Sequence, residues 1–555
     1  MNHTAKSLFR NFFVQIKRVL DSIEASPLSL ASFSLAFLGI ILVRLFIEST
    51  LNAYGTESLR YMFFEFSHTF LFFLFAFLVF LPLARLAGAS SWTRAANLIL
   101  FGFLIIWTPP LIDAYIFQGT RFWSFYELDS LRGLLGQFFT FFDDTPNVGI
   151  TYGVRVEVAV MTLAFTLYAW IRSRKLWKTL GIALLTYFTF FILGTFPSYV
   201  ALLMLGFQKG FLSVTEFDIV GSMLSPMSSF GQGTIDARMS LGARMSLVYA
   251  ILSTVLLGSL LYRMSKKTFL ALFHNVRFPQ IIWHGGLFLF GGALALIFTG
   301  ARPDFDFFEI LSILLLIIAI ESAWLASVVA NDIADINTDL ITNTTRPIPA
   351  GDISKRHYAA IGMLFFSASL LFSAVVSFKA TLLLLAYQGL AWVYSMPPLR
   401  LKRVPLLATM LAALAGISVL AIGYSLVAID ADLTSVPLPI LVFLFVSYAL
   451  TLPLKDFKDI RGDKADHVYT IPVILGEERA RLLIGSALFL SYATSPVVLH
   501  DANLIVPAIL FGTLAFMSVM RAQRKRHSFG EFRKLPAWNM LFITLYGICV
   551  GFILF

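Results

Sequence analysis

A chain of 555 residues with 58% hydrophobic and only 13% charged side chains lies outside the range of soluble domains, which are about 45–50% apolar and about 25% charged. Mean hydropathy is +0.81, and apolar runs of about 20 residues, each able to cross a hydrocarbon core of about 30 Å, recur from Pro27 onward. The +10 formal charge excludes no membrane reading and points to no nucleic acid, because Lys and Arg collect in short loops between apolar runs; a single cysteine, Cys549, permits neither an intrachain disulfide nor a thiolate metal cluster.

In chain order, the amino-terminal MNHTAKSLFRNFFVQIKRVL mixes basic and aromatic residues without a small-residue cleavage site. It reads either as a helix lying on the inner membrane surface or as a solvated leader. Six spans are expected before residue 270, at about 29–48, 63–86, 93–112, 154–171, 179–205 and 245–263. Nine more follow, at about 281–300, 309–330, 358–378, 380–396, 405–428, 437–454, 481–499, 503–520 and 537–555. The expected fold class is all-α, a polytopic membrane helix bundle of about 15 transmembrane helices. Residues 1–270 are expected to form an N-terminal transmembrane domain of about six helices with no readable role, and 278–555 a nine-helix domain. Between them lies the basic stretch KKTFLALFHNVR. Two long loops, near 113–153 and 206–244, interrupt the first domain, and loops of that length are often functional.

Loop charges test this span count. With the N-terminus in the cytoplasm, Arg85 and Arg94, Arg172 to Lys178, Lys355 and Arg356, and Arg400 to Arg403 all fall inside. Asp143, Asp144, Asp304, Asp306, Asp430, Asp432 and Asp501 fall outside. Every loop obeys the positive-inside rule or is neutral to it. The expected protein is integral to a prokaryotic cell membrane, with its acidic motifs cytoplasmic and its C-terminus on the opposite side.

Those motifs carry the chemistry. Asn331-Asp332-Ile-Ala-Asp335-Ile-Asn-Thr-Asp339 returns later as Lys455-Asp456-Phe-Lys-Asp459-Ile-Arg-Gly-Asp463. On a helix, positions i, i+3 and i+7 share a narrow arc, so each motif is expected to project three carboxylates from one stripe at the end of an apolar helix. Carboxylates grouped at a membrane edge need a counter-charge. Hard divalent cations supply it, and Mg²⁺ typically combines one or two carboxylates with substrate phosphate oxygens. Two facing stripes would hold Mg²⁺ ions that bridge a diphosphate and neutralise its charge as it leaves. Solvated acidic helix ends are the plainer alternative, less apt for a pattern repeated at one spacing on one membrane side. Arg346, Lys402 and Lys455 lie close by as diphosphate clamps, although topology alone also puts basic residues there.

At these residues the chain resembles the UbiA family of intramembrane prenyltransferases. NDIADINTD followed by TRPIPAGDIS is similar to that family's first motif region, YSMPPLRLKR to its middle loop, and LKDFKDIRGDKADHVYTIPVILG to its second aspartate region. The resemblance covers about half of the chain. It implies that Asn331, Asp332, Asp335, Asp456 and Asp459 hold Mg²⁺ and diphosphate, with Asp332, Asp335, Asp456 and Asp459 catalytic. Asp339 and Asp463 would complete the metal motifs. Arg346, Tyr394, Lys402 and Lys455 match positions that contact or support the diphosphate. The implied reaction ionises an isoprenyl diphosphate and alkylates an acceptor, a glycerol-phosphate lipid or an aromatic or chlorin ring. The RPIPAG form leans toward the glycerophospholipid and chlorophyll-synthase branches. Phosphoribosyl transfer to polyprenyl phosphate is the enzymatic alternative within the family.

Glu321 sits in the middle of the apolar helix that ends in the first motif, eleven residues before Asp332 and on the same face. A carboxylate at such depth is costly and usually faces the bundle interior. It is read either as an acceptor anchor or general base, or as a carboxyl hydrogen-bonded to a neighbouring helix. Trp392, Tyr448 and Phe457 offer ring faces to an allylic cation, with packing as the default role. An ion or lipid transporter is the rival from another class, but it calls for charges near the midplane of several spans, whereas these acids cluster at one edge.

Overall fold

The computed structural model describes residues 3–51, 59–117, 123–124, 126–142, 148–229, 233–235, 237–300, 305–428, 435–458, 460–465, 468–522 and 530–554. Among the described residues, 14 helical segments are long and apolar enough to cross a membrane. The loop acids Asp143, Asp144, Asp304, Asp430 and Asp432 lie outside the described residues. Contacts divide the chain into two compact units, Met1–Ser228 with Thr234–Met264, and Ser229–Gly233 with Ser265–Phe555.

The first unit contains α1 (His3–Ala25), α2 (Leu30–Leu51), α3 (Leu59–Ala87), α4 (Trp92–Gly102), α5 (Thr108–Phe117), α6 (Leu131–Thr140), α7 (Tyr152–Ser173), α8 (Leu176–Gly194), α9 (Phe196–Lys209), α10 (Glu216–Leu224) and α11 (Ala237–Met264). Strands are brief: β1 (Trp123–Ser124) pairs in parallel with β2 (Val148–Gly149), while β3 (Met227–Ser229) and β4 (Gly233–Ile235) have three residues each. The two long loops therefore carry α6 and α10. Thr215 and Asp218 close a capping box at the start of α10, each side chain satisfying the other's backbone N–H. The N-terminus is helical as α1, which packs against α4. Its Glu24 is buried and accepts hydrogen bonds from Tyr168 Oη at 2.8 Å and Arg172 Nη2 at 2.5 Å. The span expected at 179–205 is two helices, not one. Pro197 has no N–H to continue the ladder, so α8 stops at Gly194 and α9 restarts with the proline in its first turn.

The second unit contains α12 (Lys266–His274), α13 (Phe278–Thr299), α14 (Phe307–Ala334), α15 (Ile336–Thr342), α16 (Lys355–Val376), α17 (Phe378–Ser395), α18 (Pro405–Val427), α19 (Leu438–Thr451), α20 (Ile460–Ala465), α21 (Ile471–Leu475), α22 (Glu477–Val498), α23 (Ile505–Arg521) and α24 (Gly530–Leu554). Small residues let apolar helices touch along their backbones. A Cβ on Gly291 of α13 would meet Leu420 O at 2.0 Å, and one on Gly423 of α18 would meet Phe288 O at 1.9 Å. The expected span at 380–396 is α17, a helix of 18 residues that is not among the 14. Its Gln388 lowers its hydropathy, and that side chain is buried by donating from Nε2 to Ser369 Oγ at 2.7 Å.

The motifs depart from two straight stripes. The first bends at Asp335, which ends α14 and begins α15. In the second, α19 ends at Thr451, a 3-10 turn covers Leu452–Lys458, and α20 begins at Ile460. Pro453 explains that break, because its ring would clash with the carbonyl four residues earlier in a continued α-helix.

Candidate functional site

A cavity of about 650 Å³ lies within the second unit, walled by α13, α14, α17, α18 and the segments that carry the two motifs. Asn331, Asp335 and Asp339 from the first motif line it, with Asp456 and Asp463 from the second. Arg346, Tyr394, Lys402 and Lys455 line it too. Residues separated by as much as 132 positions, Asn331 to Asp463, thus share one wall system. α15 packs against α20, which brings the two motif segments side by side. Asp459 lies outside the described residues.

Asp332 behaves differently from its neighbours. It is 1% exposed and does not line the cavity. Its carboxylate accepts from Arg346 Nη1 at 2.8 Å, Asn275 Nδ2 at 2.9 Å and Tyr358 Oη at 3.0 Å, with Arg277 Nη2 at 3.4 Å. Asn275, Arg277 and Tyr358 enclose it, although Arg346 still links it to Asp339. Asn275, Arg277, Tyr358 and Arg400 are site residues that the sequence reading did not single out. Asn275 and Arg277 were visible as the end of the basic stretch between domains, and Arg400 as part of YSMPPLRLKR.

Cations already meet the first motif. Arg346 Nη1 reaches Asp339 Oδ2 at 2.5 Å as well as Asp332, so one guanidinium ties two carboxylates. Asp335 pairs with Arg400 Nη2 at 2.8 Å and with Lys402 Nζ. Lys402 also reaches Asn331 Oδ1 at 3.4 Å. Burial pushes the Asp339 carboxyl up from its ordinary value, while Arg346 pulls it down. Burial works against the Arg346 charge too, but Asp332 and Asp339 more than offset it and raise its pKa. Burial, with the Arg346 charge beside it, holds the Arg277 guanidinium below its usual value. Lys455 Nζ, also lining the cavity, stands 5.7 Å from the centre of the Tyr394 ring, a cation–π contact. Arg403 is exposed and stands apart from the cavity.

The donor chemistry fits Mg²⁺ in part. The cavity offers hard oxygen atoms from Asn331, Asp335, Asp339, Asp456 and Asp463. Among the described residues, however, no three acidic, His or Cys side chains converge as a ready metal cage. That arrangement suits an ion that takes one or two carboxylates and completes its shell with water and phosphate oxygens.

Below the charged rim the walls turn apolar, with Leu390, Ala391, Ala408, Leu411, Ala412 and Ala415. His284 and Tyr448 line this deeper part. Glu321 does not line the cavity itself; its Oε1 lies 3.6 Å from His284 Nδ1, and no described residue hydrogen-bonds its carboxylate. His284 Nε2 is 3.2 Å from Gln280 Nε2. Tyr448 Oη accepts from Trp283 Nε1 at 3.1 Å. Phe457 is buried in a packing cluster and Trp392 is 56% exposed, so neither faces the cavity.

Fold and site together define a multi-pass integral membrane protein whose helical bundle holds an acidic, cation-rimmed cavity over an apolar floor. Residues 288–545, in the C-terminal half of the chain, match the model of the UbiA prenyltransferase family. A digeranylgeranylglyceryl phosphate synthase of Methanoculleus marisnigri is 31% identical over 148 residues, covering 27% of this chain and 51% of the relative. One of the same name from Methanosphaera stadtmanae is 23% identical over 37% of this chain and 76% of the relative. The bacteriochlorophyll synthase 33 kDa chain of Rhodobacter capsulatus is 33% identical over 31% of this chain and 57% of the relative. The chain thus spans about half the length of the first of these relatives. Among solved structures, a UbiA homolog from Archaeoglobus fulgidus bound to GPP and Mg²⁺ is similar at a TM-score of 0.39 and 20% identity, over 50% of this chain and 99% of that one.

Proposed function

We propose that the C-terminal unit transfers a prenyl group from an isoprenyl diphosphate to an acceptor within the membrane and releases diphosphate, with Mg²⁺ as cofactor. One observation carries this reading: both acidic motifs and the cations Arg346, Lys402 and Lys455 open on a single cavity whose deeper walls are apolar. The charged rim suits a diphosphate and the apolar depth suits its hydrocarbon chain. Asn331, Asp335, Asp339, Asp456 and Asp463 are the residues that would hold Mg²⁺, and Asp459 belongs with them by its place in the second motif. The ion would supply charge neutralisation as the diphosphate leaves.

The protein's own groups do the rest. Lys402 and Lys455 reach the cavity as point charges, and Arg346 offers a planar fork. Asp332 holds Arg346 in place from behind. When the bond between the prenyl C1 and the diphosphate oxygen breaks, its electron pair leaves with diphosphate, and the ring faces of Tyr394 and Tyr448 shelter the cationic carbon from water. An acceptor hydroxyl then bonds to C1 and gives up its proton. His284, facing the cavity and backed by Glu321, is the group proposed to take it. This assigns Glu321 to the acceptor side, acting through His284 rather than by contact.

A glycerol-phosphate lipid is the first acceptor to try, because the name of that synthase recurs among the relatives and because TRPIPAGDIS leans the same way. The motif-bearing edge is assigned to the cytoplasm on the basic loops Lys355–Arg356 and Arg400–Arg403. The test uses the purified full chain with labelled geranylgeranyl diphosphate, Mg²⁺ and a panel of lipid and aromatic acceptors. Diphosphate release with a prenylated product, lost on chelation and in Asp335→Ala, is the expected result. Consumption of phosphoribosyl diphosphate in the presence of polyprenyl phosphate, with no prenyl transfer to any acceptor, would overturn it.

A further inference from the structure

We propose that the N-terminal unit binds one linear lipid chain whose head group carries hydrogen-bond donors, an alcohol or a protonated amine. The site is a cavity of about 200 Å³ enclosed by α2, α3, α4, α7, α8 and α11. This inference stands apart from the prenyl-transfer reading, since every lining residue belongs to the first unit.

Polar groups gather at one end of the cavity. Arg44 and Glu48 of α2 form an ion pair at 2.6 Å, with both side chains 12% exposed. His68 Nε2 of α3 is 2.7 Å from Tyr126 Oη. Glu157 of α7 completes the rim, and no described residue donates a hydrogen bond to its carboxylate. α2, the described length of α3 from Glu65, and α7 are all apolar enough to span a membrane. Charges inside such helices are costly and mark functional sites by default. Here α2 contributes an ion pair and α7 a carboxyl group to the same mouth, beside His68 of α3.

Away from that mouth the walls are aromatic. Along α3 the lining runs from His68 past Phe72 to Phe80, twelve residues or about 18 Å at ~1.5 Å per residue. Phe103 and Phe165 face it from the neighbouring helices. A narrow space with such walls stays free of water and favours a hydrocarbon guest. Its volume suits a single chain and not the paired chains of a bilayer lipid.

Charge sets the head group. Glu48, Glu65 and Glu157 line the cavity against one arginine, which Glu48 already pairs. A phosphate would meet like charge there. A hydroxyl or ammonium would donate to a Glu157 carboxyl oxygen.

Photolabelling of the full chain in nanodiscs tests this. Three diazirine-bearing probes would be compared: a geranylgeraniol analogue, a long-chain primary amine, and a geranylgeranyl diphosphate analogue. Mass spectrometry would then locate the labelled peptides. Expected is labelling within residues 65–80 or 152–165 by the alcohol or the amine, competed by the unlabelled compound. Glu157→Leu should lower it about tenfold by removing the acceptor. Ala76→Phe, which fills the cavity, should abolish it, and Glu157→Gln, which keeps an acceptor oxygen, should retain labelling by the alcohol. The proposal is overturned if these peptides stay unlabelled, if all three variants label like the parent, or if the diphosphate probe labels them best. Activity of the C-terminal unit enters none of these readouts, so failure here leaves the prenyl-transfer test untouched.

Discussion

At the scale of single residues, Asp332 and Asp456 are expected to divide the work that their motifs share. Asp332 is sealed behind the cavity wall between Arg346, Arg277, Asn275 and Tyr358, whereas Asp456 opens on the cavity. Removing one member of a buried ion pair leaves its partners uncompensated, at a cost of about 3–5 kcal/mol. Asp332→Asn is therefore expected to lose stability of that order in denaturation of the full chain, while half-saturation by Mg²⁺ stays within about twofold. Asp456→Asn should instead raise Mg²⁺ half-saturation about tenfold or more. Equal effects of the two substitutions on both measurements would refute the division. None of this was legible in the spacing of the aspartates, because regular helix geometry puts Asp332, Asp335 and Asp339 on one stripe. Asp332 owes its separate role to Asn275, Arg277 and Tyr358, which lie 26 to 57 positions away in the chain.

At the scale of elements, the pairing of α13 with α18 fixes one wall of the cavity. His284 and Gln280 stand on α13, and Ala408, Leu411, Ala412 and Ala415 on α18. The two helices approach so closely that a side chain at Gly423 would strike Phe288 O at 1.9 Å. Lipid supplies no hydrophobic drive between such helices, so close packing of this kind holds them together. Gly423→Leu should force them apart and reduce the yield of monodisperse protein severely. Gly286→Leu is the control, since nothing lies within 4 Å of a Cβ there. If both variants purify and melt alike, backbone contact does not hold this pair. The helices themselves were readable from runs of about 20 apolar residues. Their interruptions were less so, although Pro197 and Pro453 were in plain sight: an apolar window averages over a proline, while the backbone ladder cannot.

At the scale of the whole molecule, the first motif is balanced by protein cations. Arg346 serves Asp332 and Asp339, and Arg400 and Lys402 serve Asp335. Chelation with EDTA should consequently stop turnover without unfolding the bundle. Adding Mg²⁺ together with isoprenyl diphosphate should raise thermal stability, by about 2.7 kcal/mol when ligand stands at 100 times its dissociation constant. A collapse of the far-ultraviolet helical signal on chelation alone would assign the metal a structural role instead.

Composition and hydropathy by themselves determined that this is a multi-pass helical membrane protein, because a bilayer forces apolar runs of fixed length on any chain that crosses it. The repeated D-x-x-D-I-x-x-D pattern likewise singled out Asp335, Asp339, Asp456 and Asp463, which line one cavity of the second unit, since clustered carboxylates at a membrane edge demand a counter-charge. Which counter-charge each carboxylate meets was left to the tertiary structure. So were the bend at Asp335, the reach of Glu321 to His284, and the meeting of Arg44, Glu48, His68 and Glu157 at one cavity. The physical reason is the same in each case. Hydropathy acts along the chain within one helix, whereas ion pairs and cavities form between helices whose neighbours are chosen only when the bundle packs.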